Sequence, residues 1–367
     1  MRVLVVTVVH HPEDARILHR EIAALKAAGH EVSYAAPFTA YGVTAPEYLR
    51  TTDLPRAVGR DRLGAVRAAG RLLRREAPKH DVVLLHDPEL LLPAWRLPRP
   101  PRGPVVVWDV HEDTAAAVTL KPWLPGPLRA PTAAGFRGVE RAAERRFPLL
   151  LAEDGYLPRF VGDPPVVPNS TYVPAVVPPP GRDRVVYVGH LSEKRGALDL
   201  VEMGRLLRGT GVTVEVAGHA DSVVSDALAS ADADGDLRWH GYLPNDEALS
   251  RVEGSLAGLS LLHDEPNYRH SRPTKVIEYM ARGVPVVTTP TPPARALVEG
   301  AGCGVVVPFR QPAVAADEVL RLRDDPQRAA DLGRRGHEAA QRDHDWGRDG
   351  AVFVAALEEW VAGAERA

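Results

Sequence analysis

The stretch "YRHSRPTKVIEYMARGVPVV", residues 268–287, is punctuated as a loop, a short helix, a tight turn and a strand. Pro273 suits a first helical turn, and Gly283 can close the helix in a left-handed cap. Between them Val276, Ile277 and Met280 form a short apolar stripe, and "VPVV" reads as a buried strand that begins at once. One residue fits poorly. Glu278 places a carboxylate in the middle of a helix fit for burial. Its simplest role is an i,i+4 pair with Arg282 on an exposed face, worth about 0.2–0.5 kcal/mol.

Outward from this unit the rhythm repeats. Upstream lie "RVVYVGH", a helix from Gly196, "VTVEVAG", a helix, "LRWHGYL", a helix and "LAGLSLL"; downstream lie "VPVVTTP", a helix and "CGVVVPF". The first half has the same pattern in "RVLVVTVV", the helical "DARILHREIAALKAAGH", "EVSYAAP", the helical "LGAVRAAGRLLRREAP", "DVVLLHDPE", "PVVVWDVHED" and "PLLLAED". Near-continuous apolar strands separated by helices mean parallel sheets covered on both faces. The proline-dense run from Gly162 to Asp183 reads as a linker. The expected fold is α/β, with two doubly wound domains over residues 1–175 and 176–345. The final stretch, 346–367, is expected to be a helix lying across the domain junction.

With 367 residues the chain exceeds one comfortable core. A net charge of −3 gives no general pull towards nucleic acid or anionic lipid. The single cysteine, Cys303, cannot form an internal disulfide. The opening "MRVLVVTVVHHPED" has too short an apolar run for a signal peptide, and no segment approaches the roughly 18 apolar residues of a membrane span. A cytoplasmic protein is expected. The helix "RAPTAAGFRGVERAAERRFP" is Arg-rich, but Glu140 and Glu144 pair with its arginines at helical spacing, so membrane contact is at most peripheral, at the inner face.

In parallel sheets, sites lie outside the carboxyl ends of the strands. Those ends are polar here: His10, His11, Glu13 and Asp14 follow the first strand, His86 and Asp87 another, and Asp109, His111, Glu112 and Asp113 the next. In the second half His190, and then His263, Asp264 and Glu265, hold the same position. Each histidine taken singly reads as a solvated loop residue. Their shared placement points to a cleft between two sheets.

At this point the motifs resemble a known family. "RPTKVIEYMARGVPVV" is similar to the signature of GT-B glycosyltransferases of the retaining family 4, and "VVYVGHLSEKRG" to the strand, loop and helix that open their nucleotide-sugar domain. "HHPEDARILHREIAALKAAGHEV" and "WDVHED" resemble segments of one bacterial subgroup, and "VVPNS" the end of the N-terminal domain. The resemblance implies two Rossmann-like domains facing each other across a cleft, the first for the acceptor and the second for a nucleotide sugar, preferably a UDP-sugar.

The resemblance also implies roles. His190 and Arg195 match the basic pair that binds the donor diphosphate, with histidine standing where arginine is usual. Backbone amides at Thr274 and Lys275 would complete the cradle, and Lys275 is expected to supply charge that His190 lacks. Glu278 would accept both ribose hydroxyls. The base would lie near Gly241, Tyr242 and Leu243, with Gly218 small to admit the ligand. A second glutamate of the signature is replaced by His270, which leaves the donor sugar to Asn267, Tyr268, His270 and Ser271. His111 matches the histidine that faces the donor sugar and is, with Arg195 and Glu278, a catalytic candidate. His10, His11, Asp14 and Glu112 would serve the first loop and the acceptor. Asp113 is as well suited to capping a helix, and Arg16 to a structural ion pair.

The implied reaction is transfer with retention to an acceptor hydroxyl, in cell-surface polysaccharide or secondary-metabolite glycosylation. The leaving diphosphate would assist deprotonation of the acceptor, domain closure would exclude water, and no metal or other cofactor is expected. Two alternatives stay open: a GT-B sugar-nucleotide epimerase, and a degenerate GT-B protein that binds without turnover. A dehydrogenase is disfavoured because no Gly-x-Gly-x-x-Gly follows any strand. The oligomeric state is not legible.

Overall fold

Among the described residues the chain forms twelve strands, all in parallel pairs. In the computed structural model, which describes residues 1–111, 125–269 and 272–366, the chain divides into two units. One comprises Met1–Pro168 with Arg348–Ala367, the other Asn169–Gly347. The division after Pro168 falls inside the proline-dense run from Gly162 to Asp183. That run holds only isolated bridges, Leu151 to Val166 and Thr171 to Asp345.

The first sheet contains β1 (Arg2–Val6), β2 (Glu31–Ala36), β3 (Arg50–Asp53), β4 (Val82–Leu85), β5 (Val105–Val110) and β6 (Leu149–Leu151). Their spatial order is β3-β2-β1-β4-β5-β6. Every residue of β4 and β5 is buried, Asp109 included, because helices cover both faces. β3, "RTTD", is an edge strand with no apolar run, and the sequence reading passed over it. The helix Trp346–Arg366 buries Phe353 and Leu357, and Glu358 pairs with His30 at 3.0 Å. This helix is thereby tied to the first unit by residues more than 300 positions upstream.

The second sheet contains β7 (Arg184–Val188), β8 (Thr213–Ala217), β9 (Leu237–Trp239), β10 (Ala257–Ser260), β11 (Val286–Thr288) and β12 (Gly304–Val306), in the order β12-β11-β10-β7-β8-β9. Strand alternation splits its core. Val185 and Tyr187 pack with Leu200 and Met203 of the helix Ala197–Leu207, whereas Val186 packs with Val276, Tyr279 and Met280 on the other face. In both sheets the strand order reverses beside the first strand, at β1/β4 and at β7/β10. Those switch points are where ligands of open parallel sheets bind.

Candidate active site

In the second unit the site is built on the helix Thr274–Ala281. Val276, Ile277, Tyr279 and Met280 are all buried. Pro273 is the residue preceding the helix rather than its first turn. Gly283 is left-handed at φ +66° and donates to the Met280 carbonyl, while Val284 donates to that of Tyr279. The Tyr279 hydroxyl accepts the Val188 N–H at 3.1 Å and donates to the Leu259 carbonyl at 3.0 Å. It thereby bridges β7 and β10 where their ladder opens. With one face locked in this way, Glu278 is left half-buried, within electrostatic reach of Lys275. Arg282 is not on an exposed face: it is 7% exposed and donates to the Tyr172 carbonyl at 3.4 Å. The premise of the surface pair is therefore corrected.

Beyond β7 the backbone forms a row of glycine turns. A Cβ on Gly218, at φ +151°, would lie 1.9 Å from the Gly189 carbonyl oxygen, and the Gly218 amide donates to Gly241 at 2.7 Å. The neighbouring chain alone already requires the small residue at 218. Gly241 is left-handed, Tyr242 is exposed, and Leu243 is partly buried.

The cationic groups gather around Tyr187. Its hydroxyl donates to the His190 carbonyl at 2.7 Å, and the nearby Arg195 charge acts on it. Lys275 lays its Nζ 3.5 Å from the centroid of the same ring, a cation–π distance. Burial pushes the Lys275 ammonium well below its ordinary pKa, the Arg195 charge adds to this, and Glu278 opposes it. Burial also lowers His190, against the pull of Asp221 at 3.0 Å. The Thr274 amide, expected in the phosphate cradle, is instead turned onto the Arg272 carbonyl at 3.0 Å. Tyr268 stands half-buried on the turn Pro266–Arg269, which also carries Asn267. His270, Ser271, Glu112 and Asp113, with the Asn267 side chain, lie outside the described residues.

The first unit gathers a second polar cluster at the ends of β1, β4 and β5. Buried Arg16 bonds both oxygens of Asp109 at 2.7 Å and lies 3.0 Å from Glu21. Glu21 accepts from His86 at 2.7 Å. The Nε2 atoms of His10 and His111 are 2.8 Å apart, His111 Nδ1 is 3.3 Å from Asp109, and His10 is 3.2 Å from Asp87. Asp87 also takes the amides of Val8 and Val9 and the Thr7 hydroxyl, so it fixes the loop after β1. Burial alone would raise the Asp109 carboxyl, but the Arg16 charge drives it far below its ordinary range. Glu21, His86 and Asp109 are close enough to share a metal ion, yet Arg16 supplies the positive charge between the two carboxylates. Asp14 caps the turn that follows by accepting the amides of Arg16 and Ile17. His11 accepts the Glu13 amide at 3.1 Å and stacks edge-on with Tyr41.

Residues 171–339 match the model of the family described as glycosyl transferases group 1. The second unit is a group 1 glycosyltransferase domain. No curated protein matches the chain. Among solved structures, sucrose-phosphate synthase from Thermosynechococcus elongatus is similar with a TM-score of 0.70 at 17% identity, covering 99% of each chain. HepE from Anabaena in complex with UDP gives 0.66 at 13%, covering 98% of this chain and 100% of its own. WaaG, a glycosyltransferase involved in lipopolysaccharide biosynthesis, gives 0.66 at 12%, covering 96% and 98%. At such identities the likeness establishes fold, and the fold is GT-B. No helix among the described residues is long and apolar enough to cross a membrane.

Within the group 1 domain, Lys275 and Arg195 meet at Tyr187 with the His190 backbone, and Glu278 acts on Lys275 from the same helix. Two contributors escaped the sequence reading. Tyr187 looked like an ordinary strand residue, although its polar tip at a strand end is a usable signal. In the first unit Glu21 was passed over, although it falls four residues after Ile17 and four before Leu25, on the buried face of its helix.

Proposed function

We propose that the protein is a retaining glycosyltransferase of family 4 that moves a sugar from a UDP-sugar to an acceptor hydroxyl. The observation that carries this reading is the convergence of Arg195, Lys275 and Glu278 at the β7/β10 switch point of a group 1 domain. Two cations beside one carboxylate suit a ligand with a diphosphate and a ribose diol. A similar fold is seen in HepE structures with UDP, with UDP and glucose, and with UDP-glucose, which favours uridine. WaaG and AviGT4, involved in lipopolysaccharide and avilamycin A biosynthesis respectively, support a cell-surface or secondary-metabolite acceptor.

In this mechanism Arg195, Lys275 and His190 hold the diphosphate, and Glu278 accepts the 2′ and 3′ hydroxyls of the ribose. The backbone of Gly241, Tyr242 and Leu243 receives the base. Asn267, Tyr268, His270 and Ser271 lie next to the sugar. As the glycosidic bond to the diphosphate breaks, negative charge grows on the leaving oxygen, and the cations stabilise it. That oxygen takes the acceptor proton, so no glycosidase-type carboxylate pair is needed. His111, His10, His11, Asp14 and Glu112 serve the acceptor side, with no metal in the reaction.

Calorimetric titration with UDP, GDP and TDP in EDTA tests the donor. Selective micromolar binding to UDP, followed by NMR detection of an axial or equatorial anomeric product that matches the donor, is the expected result. Binding to none of the three removes the reading. Binding without transfer to any hydroxyl acceptor leaves a non-catalytic sugar-nucleotide binder, and interconversion of free UDP-sugars an epimerase.

A further inference from the structure

Lys275 Nζ is sealed from water and has no hydrogen-bonding partner among the described residues. Tyr187 of β7 lies under it at 3.5 Å. Gly189 lies against it and offers it no side chain; a Cβ there would stand 3.5 Å from Nζ. Arg195, on the turn after β7, repels it, and Glu278, one turn along its own helix, attracts it. Tyr268, Tyr279 and His190 are further titratable groups near Tyr187 and Arg195 among the described residues. A buried ammonium holds its charge only where anions or acceptors replace the lost water. A single ring face and one carboxylate, set against a guanidinium, replace little of it.

A bound diphosphate would change that balance by placing negative charge beside the same loop. We propose that Lys275 is a proton-linked ligand of the diphosphate: one proton passes from solvent to Nζ as the anion seats, and binding and protonation form a single equilibrium. A new N–H bond forms at Nζ, water or buffer supplies the proton, and the ligand keeps its own charge. The strong downward pressure on the Lys275 pKa in the unliganded site agrees with this. By linkage, the ligand raises the proton affinity of Lys275 by the same factor as the proton raises affinity for the ligand. Free Lys275 is neutral in part, so affinity falls as pH rises. The proposal rests on the donor-site reading above and adds to it a coupling that a fixed arginine in this place would not have.

The test is calorimetric titration of the full chain with UDP in buffers of equal pH and different ionisation enthalpy, at pH values where the UDP phosphates are fully ionised. The expected result is net uptake approaching one proton per UDP, with Kd rising up to tenfold per pH unit. Lys275→Met is expected to bind UDP about tenfold more weakly with the uptake abolished, Lys275→Arg to bind without uptake, and His190→Asn to keep it. Absence of uptake in the wild type, or uptake that persists in Lys275→Met or Lys275→Arg, overturns the proposal. If Lys275→Met does not fold, the Arg and Asn variants decide between Lys275 and His190 as the proton's destination. Failure of the wild type to bind UDP at all is a different result: it removes the donor-site reading, and this inference with it.

Discussion

A Cβ on Gly258 would stand 2.3 Å from the ring of Tyr279. The strand β10 and the helix that carries Glu278 are that close because the Tyr279 hydroxyl reaches through to Val188 and Leu259. A ring held by two backbone hydrogen bonds cannot step aside. Gly258→Ala is therefore expected to destabilise the second unit by about 1–3 kcal/mol through overpacking. Tyr279→Phe keeps the volume but leaves the half-buried Val188 N–H and the buried Leu259 carbonyl short of a partner, at a cost of about 1–3 kcal/mol. Urea unfolding followed by circular dichroism measures both, and an unchanged midpoint in either variant would show that the helix is seated in some other way.

Glu278 is tested by separating its ribose contact from general binding. The wild type is expected to prefer UDP to 2′-deoxy-UDP by about tenfold, roughly 1.4 kcal/mol. Glu278→Ala should bind the two nucleotides alike. A variant that retains the preference would place the ribose elsewhere.

His190 stands where a permanent charge would serve a diphosphate better. Burial lowers its pKa, so near neutral pH it is chiefly uncharged. His190→Arg should tighten UDP binding by about five- to tenfold, and the gain should shrink as salt rises. Weaker binding would mean that the pairing with Asp221, rather than charge, is what the site needs at this position.

The buried cluster of the first unit gives its stability two pH limits. Burial opposes ionisation of Asp87 and Asp109, but His10 and Arg16 respectively carry them below the ordinary 3.8. Their stabilising contribution is complete above about pH 3.8 and is lost as pH falls through the folded values. Burial would lower His86, but Glu21 raises it above 6.5. Its contribution is complete below about pH 6.5 and is lost as pH rises through the folded value. Unfolding free energy should therefore peak between these limits. Asp109→Asn leaves Arg16 short of its partner and should cost about 3–5 kcal/mol. A flat profile from chemical denaturation across this range would contradict the assignment.

His111 is expected to act in turnover rather than in nucleotide binding. His111→Ala should lower transfer about 100-fold or more while UDP affinity in calorimetry stays within about twofold. His10→Gln should shift the pH profile of transfer, because its ring nitrogen lies 2.8 Å from that of His111. An unmoved profile would reduce His10 to a loop residue.

Much of this was legible in one dimension. Apolar strands, helix stripes and the turn at Gly283 follow from local sterics and periodicity, which depend on neighbours along the chain. Edge strand β3 was not legible, because a strand paired on one side needs no apolar run. Glu278 could be singled out because a carboxylate broke a helical stripe. The reason for Gly218 could not be found, since the atom that crowds it belongs to Gly189.

By itself the sequence determined two parallel-sheet units and the strand ends at which polar residues collect, because burial imposes a period on each segment. Only the tertiary structure decided the state of those polar groups. It set Lys275 over Tyr187 without a hydrogen-bonding partner among the described residues, and it closed Arg16 between Asp109 and Glu21. Charge and proton affinity depend on which groups meet after water has been removed, and residues 88 positions apart, such as Tyr187 and Lys275, meet only in the fold.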